Sequence, residues 1–146
     1  MRSRRERRLT NGNMGARLND SEIEHFMARV KSVLGMQASR QELLTYLELA
    51  DRVAMPGPQR IHRITRLLER LMQEDVAHGR PVRSALVVSR IGHGLPAEGF
   101  FDRARRLQIL VNEDQRSFHC RQIEAVFSGA KQAQASETSH TKSDRL

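Results

Sequence analysis

The chain has 146 residues, with 25 Lys or Arg against 17 Asp or Glu, a formal net charge of +8, 38% apolar and 4% aromatic residues, and no Trp. That length supports one modest domain and argues against a two-domain enzyme, while a single cysteine, Cys120, excludes an internal disulfide framework or a multi-cysteine zinc cage and fits a reducing compartment. No stretch reaches the roughly 18 to 20 uninterrupted apolar residues of a membrane span, and no apolar core follows the charged N-terminus as an export signal requires, so a cytoplasmic protein with no membrane partner is expected.

The positive surplus attracts polyanions, nucleic acid first among them, and its placement along the chain decides what it can do. Met1 to Arg8 carries Arg2, Arg4, Arg5, Arg7 and Arg8 against Glu6, and Asn11-Gly12-Asn13 adds nothing to bury, so residues 1–18 read as a disordered basic arm. It lacks the apolar face of a presequence helix. Residues 19–128 hold the folded pattern. Ile23, Phe26, Met27, Val30, Val33 and Leu34 recur at three- and four-residue steps and predict a first helix. Asn19, Asp20 and Ser21 offer N-cap oxygens, Ser21 with Glu24 makes a capping box, and Gly35 suits the left-handed C-terminal position.

From Ser39 to Met55 the apolar residues are too crowded for one stripe, and two capping boxes compete, Ser39 with Glu42 and Thr45 with Glu48. The reading is a turn or strand through Leu43 and Leu44, then a helix from Tyr46 to about Ala54. Met55-Pro56-Gly57-Pro58 forces a break.

Gln59 to about His78 is the most informative segment. At roughly 100° per residue, Ile61, Ile64, Leu67, Leu68, Leu71 and Met72 fall within an arc of roughly 140°. The opposite arc holds Gln59, His62, Arg63, Arg66, Glu69, Arg70 and Gln73, with Arg60 at the N-terminal end. A helix fits the major groove of B-DNA, and arginine grips phosphates or takes guanine through two parallel hydrogen bonds. The bland alternative is a solvated face whose arginines pair with Glu69, Glu74 and Asp75. Gly79 and Pro81 end the helix, and Ser84 to Ser89 reads as a buried strand. Arg90 to Pro96, a glycine-rich basic loop that includes His93, is what a wing would look like, although a plain hairpin turn has the same composition. Phe100, Phe101, Ala104 and Leu107 predict a helix from near Glu98 with Arg103, Arg105 and Arg106 outward. A last helix runs from about Asp114 to Phe127, and residues 129–146 read as a disordered tail.

That order gives a mainly α fold with a small β wing: a winged helix-turn-helix core with flanking helices and disordered termini. Thr45-Tyr46-Leu47-Glu48-Leu49-Ala50, then Pro58-Gln59-Arg60, a helix and a Pro-Val-Arg-Ser segment leading into Gly94 to Phe101 resemble the winged-helix domain of the alkylguanine DNA alkyltransferases and alkyltransferase-like proteins. The likeness covers about residues 45–101. It implies that Tyr46 lies against the DNA backbone near a target nucleotide and that Arg60 is pushed into the base stack. Leu47 stands where the family has glycine, the recognition helix is longer, and the Pro-Cys-His-Arg nucleophile motif is absent, so alkyl transfer has no nucleophile.

Little other chemistry is legible. His119 and Cys120 are adjacent and point about 100° apart on a helix, which suits a half-buried cysteine better than a metal pair. The six histidines fall in no ligand spacing, the acids have no partnered base, and Gly92-His93-Gly94 is too short to cradle phosphate. No cofactor, metal or catalysis is expected. The expectation is a non-enzymatic protein that binds double-stranded DNA, a small transcriptional regulator or accessory factor, through Gln59, Arg60, His62, Arg63, Arg66 and Arg70, while the Arg90 to Pro96 loop with His93 and the N-terminal arm touch phosphate or an adjacent minor groove, and Tyr46 joins the site as the resemblance implies. The alternative is a helical adaptor or homodimer whose arginines serve solubility alone.

Overall fold

A computed structural model describes residues 18–145, with side chains described through residue 133. The basic arm therefore lies outside the described residues except for Leu18.

Helix α1 spans Asp20–Arg40. Its capping box is made by Asn19 and Glu22, whose side chain and backbone groups exchange bonds of 2.8 and 3.0 Å, rather than by Ser21 and Glu24. It also runs through Gly35 and stops five residues later, where Gln41 takes the left-handed conformation (φ 57°). Tertiary contact explains the extension. Gln37 and Ala38 are buried, and the Gln37 amide donates to the carbonyls of Glu42 and Leu43 and accepts from Arg52 at 2.6 Å. These contacts outweigh the roughly 1 kcal/mol that an interior glycine costs a helix.

Strand β1 is Leu44–Thr45, and α2 is Tyr46–Arg52. Of the two competing boxes, Thr45 with Glu48 forms, at 3.1 and 2.8 Å. After the proline break α3 spans Arg60–Ala77, with Ile64, Leu67, Leu68, Leu71 and Met72 buried. Ile61, inside the predicted apolar arc but in the first turn of α3, is instead 41% exposed. Gly79 (φ +68°) closes the helix, and the Arg80 N–H bonds back to the Asp75 carbonyl at 2.8 Å.

The predicted strand over Ser84 to Ser89 is mostly something else. Residues Arg83–Leu86 form a 3-10 turn, and only Val87–Val88 is extended, as β2. It pairs in parallel with β1, Leu44 against Val87 and Thr45 against Val88. No strand returns to β2 among the described residues, so the fold is mainly helical with a small two-stranded parallel sheet, and the expected β wing is not formed. Two physical causes are visible. Asp75 bonds the Arg83 N–H at 3.0 Å and its guanidinium at 2.7 Å, drawing the chain into a tight turn. Beyond β2, left-handed His93 and Gly94 and then Pro96 steer the chain into α4, Glu98–Arg106, instead of a hairpin partner.

Helix α5 begins at Gln115, where the Asp114 side chain accepts the Ser117 N–H at 2.8 Å, and it continues to Arg145. Residues 129–145, expected as unstructured tail, are thus helical. Ala130, Lys131, Gln132 and Ala133 are good helix formers, and Ala130 packs against the core.

The core has two apolar clusters. Phe26, Val30 and Leu34 of α1 meet Leu49, Ile64, Leu67 and Val87 in the first. Met72, Val82, Phe101, Ala104 and Phe118 form the second, and Ile123 of α5 packs against both. Polar straps fix the segment after α3 to this frame. Gln122 Oε1 accepts the Val82 N–H at 3.0 Å, and His119 Nε2 donates to the Ala85 carbonyl at 2.7 Å.

Candidate nucleic-acid interface

The nine residues expected at the interface divide into three groups. Two of the arginines are turned in. Arg63 is 8% exposed and donates to the Pro56 carbonyl at 3.1 Å. Arg60 donates to the Met55 carbonyl at 2.8 Å and pairs with Asp51 at 2.6 Å. The proline break explains both: it leaves the carbonyls of Met55 and Pro56 outside any helical ladder, and the guanidiniums at the start of α3 supply the donors they need. These two side chains fasten the turn between α2 and α3, so the picture of Arg63 on an outward ridge is corrected, and the Arg60 guanidinium implied by the resemblance to enter the base stack is held by Asp51.

The second group faces solvent. Gln59, His62, Arg66 and Arg70 are exposed along α3, and Thr65 between them is half-buried. Arg66 and Arg70 lie one helical turn apart on the same flank. The acids of the same helix are engaged elsewhere. Glu69 pairs with Arg103 of α4 at 3.2 Å. Glu74 pairs with Lys31 at 2.9 Å and with Arg80 and Arg83, and buried Asp75 with Arg80 and Arg83. The Lys31 ammonium, bonded to Glu74, is the main cause holding that carboxyl below its ordinary value. Among the described residues no carboxylate forms an ion pair with Arg66 or Arg70. A groove of about 550 Å³ separates the flank from the start of α1, lined by Leu18, Asp20, Ile23, Arg63, Arg66 and Arg70.

The third group lies on the other side of α3. The Tyr46 hydroxyl accepts the Ala97 N–H at 3.0 Å, and burial pushes its pKa above the ordinary 10.0. Its ring lines a narrow cavity with Thr65, Leu68, Glu69 and Phe100. Ser84 lines it too, and its buried hydroxyl makes no hydrogen bond among the described residues. Tyr46 thereby ties the 89–97 loop to the start of α2, beside the half-buried Thr65 and Glu69 of α3. Arg90 and His93 are exposed on that loop. The ridge of α3 therefore runs between two flanks, the root of the N-terminal segment at Leu18 and the basic loop.

Several of these features escaped sequence reading. Ile91, 90% exposed beside Arg90, carries no periodic signal because it sits in a turn. The buried Ser84 hydroxyl and the groove beside Leu18 depend on tertiary packing. Cys120, expected half-buried, is exposed, and its neighbour His119 takes the inward position. Among the described residues no helix is long and apolar enough to cross a membrane. In comparison with known proteins, the chain matches no family model, no curated protein and no solved structure.

Proposed function

We propose that the protein is a non-enzymatic binder of duplex DNA, of the regulator or accessory-factor kind, which presents the exposed flank of α3 to the major groove. Arg66 and Arg70 grip phosphates or guanine edges, Gln59 and His62 lie ahead of them on the same helix, and Arg90 and His93 reach the neighbouring backbone from the loop. The observation that carries this reading is the charge arrangement on α3: its acids are engaged by Lys31, Arg80, Arg83 and Arg103, and Arg66 and Arg70 form no ion pair among the described residues. Residue choice agrees with it. The chain holds 22 Arg and 3 Lys, and guanidinium is the group suited to planar recognition of phosphate and guanine. Arg60 and Arg63 support the site by fixing the turn that aims α3.

The test is a binding isotherm with mixed-sequence duplex across a salt series. Wild-type affinity falls steeply with salt, and the slope shrinks by about 0.9 for each phosphate contact removed in Arg66→Ala and Arg70→Ala. Arg40→Ala, on an exposed residue at the far end of α1, leaves the slope unchanged. Affinity that ignores both α3 substitutions refutes the assigned face, and absence of duplex binding leaves the adaptor reading in its place.

A further inference from the structure

From the loop that joins β2 to α4 we infer a second mode of contact, which rests on the duplex-binding reading: Ile91 is an apolar wedge that enters the minor groove and pries apart a base step. Among the described residues Ile91 is the most exposed large apolar side chain, at 90%, with Val111 next at 59%. A β-branched residue at a turn tip is unusual, because turns favour Gly, Asn, Asp, Ser and Pro.

The turn beneath it is firmly built. The Ser89 N–H donates to the Leu95 carbonyl at 2.8 Å, the Leu95 N–H to the Gly92 carbonyl at 3.0 Å, and the Gly92 N–H to the Ser89 carbonyl at 3.3 Å. A Cβ on Gly92 would stand 2.9 Å from the Leu95 carbonyl oxygen and 3.2 Å from the Ser89 Cβ, so the chain closes on itself there as only glycine allows. His93 (φ 53°) and Gly94 (φ +84°) complete the reversal. Both ends are anchored, by pairing of Val88 with Thr45 and by the bond from Ala97 to Tyr46. A side chain projected from a fixed backbone loses little entropy on insertion.

Charge selects the occupant. Arg90 and His93 flank Ile91 and are exposed, and no carboxylate pairs with Arg90 among the described residues, so what approaches the tip is anionic at its rim and apolar within. A base step between two phosphate backbones has that character, and Ile is among the residues that wedge such steps and bend the duplex. The end of the loop, at Ala97, lines the same narrow cavity as Thr65 and Glu69 of α3, so the loop is rooted on the side of the helix proposed to enter the neighbouring groove. Aromatic stacking is a poor substitute here, since Phe26, Phe100, Phe101 and Phe118 are all buried.

The experiment uses a mixed-sequence duplex carrying a donor and an acceptor dye at its two ends, titrated with the full-length protein, with sedimentation of the free protein alongside. Wild type raises energy transfer as the ends draw together. Ile91→Ala binds within about tenfold of wild type but without the rise, Ile91→Leu restores it, and Arg66→Ala with Arg70→Ala loses binding itself. Wild-type binding with no rise, or an undiminished rise with Ile91→Ala, overturns the wedge and leaves the α3 face standing. A wild-type dimer that Ile91→Ala dissociates also overturns it, in favour of a self-contact, and failure of wild type to bind overturns both readings.

Discussion

Two buried side chains set how tightly the chain after α3 is held. Asp75 is 0% exposed and faces the guanidiniums of Arg80 and Arg83. Removing one partner of such a buried pair leaves charge without compensation, so Asp75→Asn is expected to lower unfolding free energy by about 3 kcal/mol or more in urea titrations. Glu74 touches the same arginines from a half-exposed position, and Glu74→Gln lowers it by less than about 1 kcal/mol. Equal effects from the two would contradict the burial assigned here. His119 provides the pH dependence. Burial holds its imidazole below the ordinary 6.5, opposed by the bond to Ala85. The unfolded chain therefore takes up this proton first as acid is added, so the His119 contribution is complete above the unfolded pKa and is lost as pH falls through and below it. Stability should decline between about pH 7 and 5 in wild type, and His119→Gln, which keeps a neutral donor toward Ala85, should flatten that limb. The Glu74 contribution, from a carboxyl held below 4.5, disappears only in stronger acid.

At the scale of elements, α1 offers the cleanest substitution. Gly35 is helical and exposed, and a Cβ there meets nothing within 4 Å. Gly35→Ala is expected to raise stability by about 0.5 to 1 kcal/mol, read as a higher denaturation midpoint, and a loss would mean that α1 is broken at that point. The same glycine shows how far sequence carries. Periodicity and breakers located α3, the proline break and the Thr45 to Glu48 box, because each is a local property of side-chain spacing or backbone donors. Gly35 misled because burial of Gln37 and Ala38 decides where α1 stops, and that burial involves distant chain. The Arg66 and Arg70 flank was legible; Arg63 was not, since what turns it inward is a carbonyl at Pro56. Strands of two residues are too short to show a period of two, so the parallel pairing was invisible, and the expectation of a hairpin wing filled the gap. Ala130 to Ala133 carried helix propensity that the scarcity of large apolar residues obscured.

For the whole molecule, the two apolar clusters share Ile123 and are bridged by α3, which supplies Leu71 to one and Met72 to the other. They should therefore unfold together. With Tyr46 the only tyrosine and no Trp present, tyrosine fluorescence reports one neighbourhood while far-UV circular dichroism reports all the helices, and their denaturant transitions should coincide. Separate midpoints would divide the chain into independent parts. The parallel pairing of Leu44–Thr45 with Val87–Val88 has a further consequence, for the order of assembly. It joins segments that lie on either side of α2 and α3, so the intervening chain must be gathered into a ring before the pairing yields any return, and contacts so remote in sequence are slow to form. Helices α2 and α3 are near neighbours along the chain and dock without that delay. The strands then act as a catch that engages afterwards, and α3 is among the first parts of a newly made chain to take its final shape.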